Sequence, residues 1–123
     1  MKSRVNFVVA IHLCALVCTA CAAGTPSLQE SIRTPDGGIV ADWYSVSAGG
    51  AAGSSIDRVR LRRTTETFVA DDQYVFSAIS GHTMKVTWIG QRQLEISYDK
   101  NFLVRRSTKT WRDVTVQYRV EPR

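Results

Sequence analysis

From Ser27 onward, apolar and polar residues alternate with a period of two, and this pattern limits the fold more than any other feature of the sequence. A period of two is typical of a half-buried strand, whereas a helix repeats its apolar side every 3.6 residues. The clearest alternating segments are residues 58–62, 84–88, 94–98 and 114–120. Each segment is expected to have one apolar and one wet face, as in an antiparallel sheet that covers a core on one side.

Less regular segments and turn residues extend this prediction. Residues 39–46, 67–70 and 74–79 are rich in β-branched and aromatic residues, so they are also expected to be strands. Proline, aspartate and two glycines at residues 34–38 predict a turn, and residues 89–93 predict a short hairpin connection. The spacing predicts an all-β domain, either a small antiparallel sandwich or a partly open barrel of about six to eight strands.

The first 20 residues have the three parts of a secretory signal peptide. Lys2 and Arg4 supply the positive start, residues 5–17 are mostly apolar, and small residues precede Cys21. The apolar run is shorter than the roughly 20 residues that a membrane-spanning helix needs. We therefore expect a signal helix that is cleaved from the mature protein. The alternative is a buried N-terminal helix of the domain.

The four residues Cys18-Thr19-Ala20-Cys21 resemble the lipobox of bacterial lipoproteins, although Cys18 stands where leucine is usual. The resemblance implies that Cys21 becomes the new N-terminus and carries a diacylglyceryl group, often with a further acyl chain such as palmitate on its amine. Several chains on one residue give the stable membrane anchoring that a single chain does not. Ala20-Cys21-Ala22 also fits an ordinary signal-peptidase site, so a secreted or soluble periplasmic protein remains the alternative.

These features divide the chain into three parts. Residues 1–20 are the predicted signal peptide, residues 21–27 the lipidated N-terminus and tether, and residues 28–123 a single β-domain. The predicted location is the bacterial cell envelope. Ala22 after the lipidated cysteine resembles the pattern exported to the outer membrane, facing the periplasm, in Gram-negative bacteria.

Few reactive side chains remain once the signal peptide is removed. Of three cysteines and two histidines, only Cys21 and His82 are left, and the predicted acylation consumes the thiol of Cys21. A zinc site needs three or four His or Cys ligands, and a lone histidine lacks the partners of a catalytic triad. The chain also lacks the lysine-bearing glycine loop that binds phosphates. We therefore predict no catalytic residue, no metal and no cofactor.

Charge is the remaining functional feature. After removal of residues 1–20, fourteen Lys and Arg stand against eleven Asp and Glu, a net charge of +3. Five arginines, three on one predicted strand and two nearer the C-terminus, form a basic surface if those segments are neighbours, and this surface would bind an anionic envelope component or an acidic envelope protein. A solvated face that also guards edge strands explains the same residues. No motif predicts nucleic-acid binding. The five candidates are Arg58, Arg60, Arg62, Arg105 and Arg106.

A second resemblance covers roughly residues 30 to 120. The turn at residues 34–37, the Gly- and Ser-rich stretch before Ile56, and the segments 86–88 and 94–98 follow one another in that order. This arrangement resembles a family of small bacterial envelope proteins of unknown function, in which a Ser-Pro-Asp-Gly turn and a Trp…Leu-x-Ile-x-Tyr hairpin recur. Thr34 stands where serine is usual. The resemblance implies the β-fold only.

The functional hypothesis is a membrane-anchored lipoprotein whose non-catalytic β-domain binds an envelope component. One alternative is an inhibitor of an attacking enzyme such as lysozyme, although such lysozymes are basic, like this domain. The other alternative is a hydrolase that uses His82 or a pair of carboxylates.

Overall fold

The computed structural model describes residues 25–47, 55–80 and 83–122. These residues form nine strands and no helix, so among them no helix is available to cross a membrane. The predicted signal peptide, the lipidation site Cys21 and the single remaining histidine His82 lie outside the described residues. The strands are β1 (Ser27–Arg33), β2 (Ile39–Ser47), β3 (Ser55–Arg63), β4 (Phe76–Ser80), β5 (Met84–Gly90), β6 (Gln93–Asp99), β7 (Leu103–Ser107), β8 (Thr110–Trp111) and β9 (Val114–Glu121).

The strands form two open sheets that pack face to face. The first sheet has the order β1-β2-β3-β4-β7 and the second the order β5-β6-β9-β8. This confirms the all-β prediction and selects the sandwich over the barrel. Three of these strands, β1, β7 and β8, lie outside the segments predicted as strands. β1 and β7 are largely exposed and β8 has two residues, so none of them shows clear apolar alternation.

One strand pair differs from the antiparallel expectation. β6 and β9 run parallel, with Leu94 beside Val116 and Ile96 beside Tyr118. Parallel neighbours cannot be joined by a tight hairpin and need a longer crossover. Here the chain leaves β6, crosses to the far edge of the first sheet as β7, and returns through β8.

The hydrophobic core lies between the inner faces of the two sheets. Its largest fully buried members, Leu61 and Phe76 from the first sheet and Leu94 and Ile96 from the second, are at most 1% exposed. Full burial of such side chains contributes about 1.5–3 kcal/mol each. The indole N–H of Trp88 donates to a β1 carbonyl at 2.8 Å and joins the two sheets at their edge.

The turn at residues 34–38 is confirmed. The Thr34 hydroxyl donates to the Asp36 carboxylate at 2.7 Å, and the Gly37 amide donates to the Thr34 carbonyl at 2.8 Å. Gly37 adopts a φ of 77°, a left-handed conformation that glycine accepts without steric cost. The turn therefore forms where proline, aspartate and glycine predicted it.

The predicted strand at residues 67–70 is wrong. Residues 64–75, called the crossing segment below, run without strand structure over the outer face of the first sheet. The ring of Phe68 meets that of Tyr44 on β2 edge-on, with 5.2 Å between centroids. Tyr44 has no exposed surface, and its burial by Phe68 stabilises the segment on the outside of the sheet. The segment therefore does not become a strand, although its residues favour strands.

The outer face of the first sheet also contains a buried carboxylate. Asp42 on β2 is fully buried, and its oxygens accept from Arg62 Nε at 2.6 Å, Arg62 Nη2 at 3.3 Å and the Ser31 hydroxyl at 2.6 Å. The Arg62 side chain is only 16% exposed. Removal of one member of such a pair strongly destabilises a protein, because the charge of the other member stays buried without a counter-charge.

We expect Asp42→Asn to lower the free energy of unfolding by about 3–5 kcal/mol, since it leaves the Arg62 guanidinium without its counter-charge. Urea denaturation followed by tryptophan fluorescence measures this loss. Glu30→Gln, on exposed β1, removes the same charge and should change stability by less than about 0.5 kcal/mol. Equal effects of the two substitutions would show that the buried pair has no special contribution.

Candidate functional site

The outer face of β3 carries three of the candidate arginines. Arg58, Arg60 and Arg62 alternate with the core residues Val59 and Leu61, so all three point away from the core. Their electrostatic surroundings differ. Arg62 is neutralised by the buried carboxylate described above, and the other two meet the crossing segment.

Arg60 is neutralised by Asp71 of the crossing segment. Its Nε donates to Oδ1 at 2.8 Å and its Nη2 to Oδ2 at 3.2 Å, which is a bidentate pair. The hydrogen bond from Arg60 is the main cause that lowers the pKa of Asp71 below its ordinary value of 3.8, with a further contribution from the Gln73 amide. The pair therefore fastens the crossing segment to β3.

Arg58 and Arg106 meet at one aromatic ring. The guanidinium carbon of Arg58 lies 4.5 Å from the centroid of the Tyr74 ring, and that of Arg106, on β7, lies 4.3 Å from it. Arg106 Nη1 also donates to the carbonyls of Asp72 at 2.9 Å and of Tyr74 at 3.1 Å. The ring stabilises each cation by about 0.5–1 kcal/mol at partly exposed sites, but it carries no negative charge.

The charges of these two arginines are not compensated. Among the described residues, neither Arg58 nor Arg106 forms an ion pair with a carboxylate. Within the part of the chain that the structure describes, the buried Nε of Arg58 donates to no protein acceptor. Burial raises the pKa of the neighbouring Tyr44 hydroxyl, while the Arg58 charge acts in the opposite direction. Two guanidiniums within 4.5 Å of one ring favour the approach of an anion.

Strand register places the two arginines in one row across the first sheet. Arg58 pairs with Ser77 of β4, and Ser77 pairs with Arg106 of β7. On the other side, Arg58 pairs with Tyr44, which pairs with Leu28 of β1. We call this set, Leu28-Tyr44-Arg58-Ser77-Arg106, the arginine row. Arg105 is exposed at the irregularity of β7 beside it.

A polar cleft of about 290 Å³ lies on the other side of the crossing segment, where β4 no longer pairs with β3. Arg112 enters it from the β8–β9 turn with a φ of 53°, a left-handed conformation that is costly for a residue with a side chain. Its guanidinium lies 4.4 Å from the Trp111 ring centroid and 3.5 Å from Glu66. The lining residues are Arg60, Leu61, Glu66, Thr67, Gln73, Trp111 and Arg112.

The charges of the cleft are matched within the protein. Arg60 is paired with Asp71 and Arg112 with Glu66. A backbone hydrogen bond from Arg63 is the main cause that lowers the pKa of Glu66, so its carboxylate is held in the charged form. The arginine row, in contrast, presents two cations that no carboxylate of the described residues neutralises, and we take it as the candidate functional site.

The sequence indicated the arginines but not the groups that distinguish them. Asp42 and Asp71 lie 20 and 11 residues from their arginine partners in the sequence. Tyr74 contacts Arg58 only because the crossing segment folds back over β3. No local pattern contains these pairings. Among the described residues, no group of three or more His, Cys, Asp or Glu could hold a metal ion.

No family model, curated protein or solved structure matches the chain.

Acid should weaken the attachment of the crossing segment. The pKa of Asp71 is lowered in the folded protein, so its contribution to stability is complete above the unfolded pKa near 3.8 and is lost as pH falls through the folded value. We expect the free energy of unfolding to fall below about pH 4, and less steeply in Asp71→Asn. Urea denaturation at pH 7 to pH 2.5 measures both curves.

Asp72→Asn is the matched control for this experiment, because Asp72 is the adjacent acid and forms no ion pair among the described residues. It should keep the slope of the unchanged protein. If Asp71→Asn and Asp72→Asn both keep it, the pair with Arg60 does not link stability to pH.

Proposed function

We propose that the protein is a lipoprotein of the bacterial cell envelope, anchored through acyl chains on Cys21, whose non-catalytic β-domain binds an anionic envelope component through the arginine row. The lipobox-like residues before Cys21 support the anchor. With Ala22 in the next position, the proposed location in a Gram-negative bacterium is the outer membrane, on the periplasmic side. The proposed domain uses no metal or cofactor.

The observation that carries the binding proposal is the uncompensated pair of guanidiniums on Tyr74. Arg58 and Arg106 approach the same ring within 4.5 Å, and neither is paired with a carboxylate of residues 25–47, 55–80 or 83–122. A phosphate or carboxylate bound at the accessible N–H groups of these guanidiniums would supply negative charge and hydrogen-bond acceptors. Guanidinium groups favour such oxyanions because they donate in a planar, bidentate arrangement.

The neighbouring arginines sharpen this proposal. Arg60 and Arg62 are already bound to carboxylates and are each 16% exposed in their side chains. Their charges are therefore largely used within the fold. Binding is assigned to Arg58 and Arg106, with Arg105 beside them as an exposed further cation.

The anchor is tested by Cys21→Ala. This substitution should abolish incorporation of labelled palmitate and release the protein from the membrane fraction, because the only acylated residue is lost. Cys14→Ala, in the predicted signal peptide but outside the lipobox-like residues, should leave both unchanged. If the original protein takes up no palmitate and its mature N-terminus is unmodified, the lipoprotein proposal is wrong and ordinary secretion replaces it.

The anion site is tested with the mature acylated protein in neutral detergent micelles. Arg58→Gln/Arg106→Gln should weaken binding to phosphatidylglycerol in mixed micelles about 30-fold. This figure corresponds to a loss of about 1 kcal/mol of binding free energy for each arginine. A parallel titration with inorganic phosphate separates the headgroup from the free anion. Calorimetry measures both affinities.

The matched control is Lys85→Gln/Arg119→Gln. These residues flank Ser97 across the outer face of the second sheet, as Arg58 and Arg106 flank Ser77 on the first. The control removes the same charge and should change the affinity by no more than about twofold. Equal losses in the two double variants would mean that binding follows net charge instead of the arginine row.

A further inference from the structure

Beside the arginine row, the outer face of the first sheet carries a row of aliphatic side chains. Val46 pairs with Ile56, Ile56 with Ile79, and Ile79 with Leu103. None of them belongs to the core between the sheets. Val46, Ile56 and Ile79 are half-buried, and Leu103 is 57% exposed. We call these four residues the aliphatic row.

The two rows are adjacent on one surface. On β3, β2 and β4 the members of the aliphatic row lie two residues from those of the arginine row, which puts them on the same face about 7 Å apart. The aliphatic row is the outer of the two, nearer the end of the sheet. Apolar side chains therefore lie nearest the end of the sheet, and guanidiniums lie about 7 Å further from that end. A bilayer interface has the same order, with acyl chains followed by charged headgroups.

The chain enters the sheet at this same end. β1 begins at Ser27, and its next residue, Leu28, belongs to the arginine row and is 48% exposed. Five residues lie between Cys21 and Ser27, and the six residue steps between these two positions span about 20 Å when fully extended. Four strand spacings from β1 to β7 add about 19 Å across the sheet. A lipid on Cys21 would therefore keep both rows close to the membrane.

We infer that the aliphatic row and the arginine row dock together on the anionic phospholipid surface of the membrane that holds Cys21. The aliphatic side chains, with Leu103 foremost, enter the interface, and Arg58 and Arg106 lie level with the headgroup phosphates. This inference rests on the proposed function, because acylation of Cys21 brings this end of the sheet to the bilayer. It adds the partner and the orientation of the domain.

The opposite face of the sandwich does not fit this role. Across the second sheet, Thr87 pairs with Glu95 and Glu95 with Gln117, whose amide donates to the Glu95 carboxylate at 3.1 Å. That surface carries an acid at its centre and the cations Lys85 and Arg119 beside it, and Ile89 is its one large exposed apolar residue among those described. An acidic protein or a second copy of the chain could bind the arginines, but neither would require the tether to emerge beside the binding surface.

The experiment places a fluorescent probe on the proposed contact. In the mature acylated protein Cys14 and Cys18 have left with the signal peptide and Cys21 is a thioether, so Leu103→Cys supplies a single thiol for an environment-sensitive dye. The protein is reconstituted in phosphatidylglycerol vesicles. Dye at position 103 should shift its emission to the blue and be quenched several-fold more strongly by spin-labelled lipid than dye at the control position.

Thr115→Cys is the control, because Thr115 is exposed on the outer face of the second sheet. Arg58→Gln/Arg106→Gln should reduce the quenching at position 103, as should replacement of phosphatidylglycerol by phosphatidylcholine. Equal quenching at positions 103 and 115 would overturn the inference. The inference would also be overturned if a dye at position 103 were protected from water in cells but remained exposed to water in vesicles. That result would identify a protein as the partner of this surface.

Failure of this inference can be distinguished from failure of the proposed function. Palmitate incorporation and the mass of the mature N-terminus report on Cys21 independently of the probe. An acylated protein whose dye at position 103 remains in water keeps the anchor and loses the docking surface. A protein without acyl chains overturns both the anchor and the orientation that depends on it.

Discussion

Asp42 carries a charge at a position without solvent, and the outer face of the first sheet is organised around it. Arg62 is committed to that carboxylate, and Arg60 is committed to Asp71. The Arg60–Asp71 pair and a hydrogen bond of 2.7 Å from Arg62 Nη1 to the Glu66 carbonyl hold the crossing segment over β3. There the segment covers Tyr44 and places Tyr74 against Arg58 and Arg106. The candidate site is thus a consequence of how the neighbouring charges are satisfied.

The two outer faces of the sandwich have different chemistry although both belong to twisted sheets around one core. The first sheet exposes two uncompensated arginines and an adjacent aliphatic row, and the chain enters the sheet beside them. The second sheet exposes threonine, glutamine and charges of both signs. In the proposed lipoprotein, this asymmetry gives the domain one side that suits the membrane, because electrostatic and apolar contributions act at the same place.

The strands with clean alternation were predicted correctly because a half-buried strand imposes a period of two on its own residues. Residues 67–70 have comparable β-propensity, yet they pack Phe68 onto Tyr44 from outside the sheet. Propensity describes how well a residue suits a pleated surface, and burial against a neighbour outweighs it. The parallel direction of β6 and β9 could not be predicted from the sequence pattern either, because a strand shows the same alternation whether its neighbour runs parallel or antiparallel.

The sequence by itself determined the all-β class, the turn at residues 34–38 and the arginines as the residues of interest, because these depend on side chains close together in the chain. Tertiary structure alone decided which arginines are neutralised and which are not. Arg58 and Arg106 are 48 positions apart and meet only through the register of β3, β4 and β7. Cross-strand register joins residues that are distant in sequence, and no periodicity within one strand encodes it.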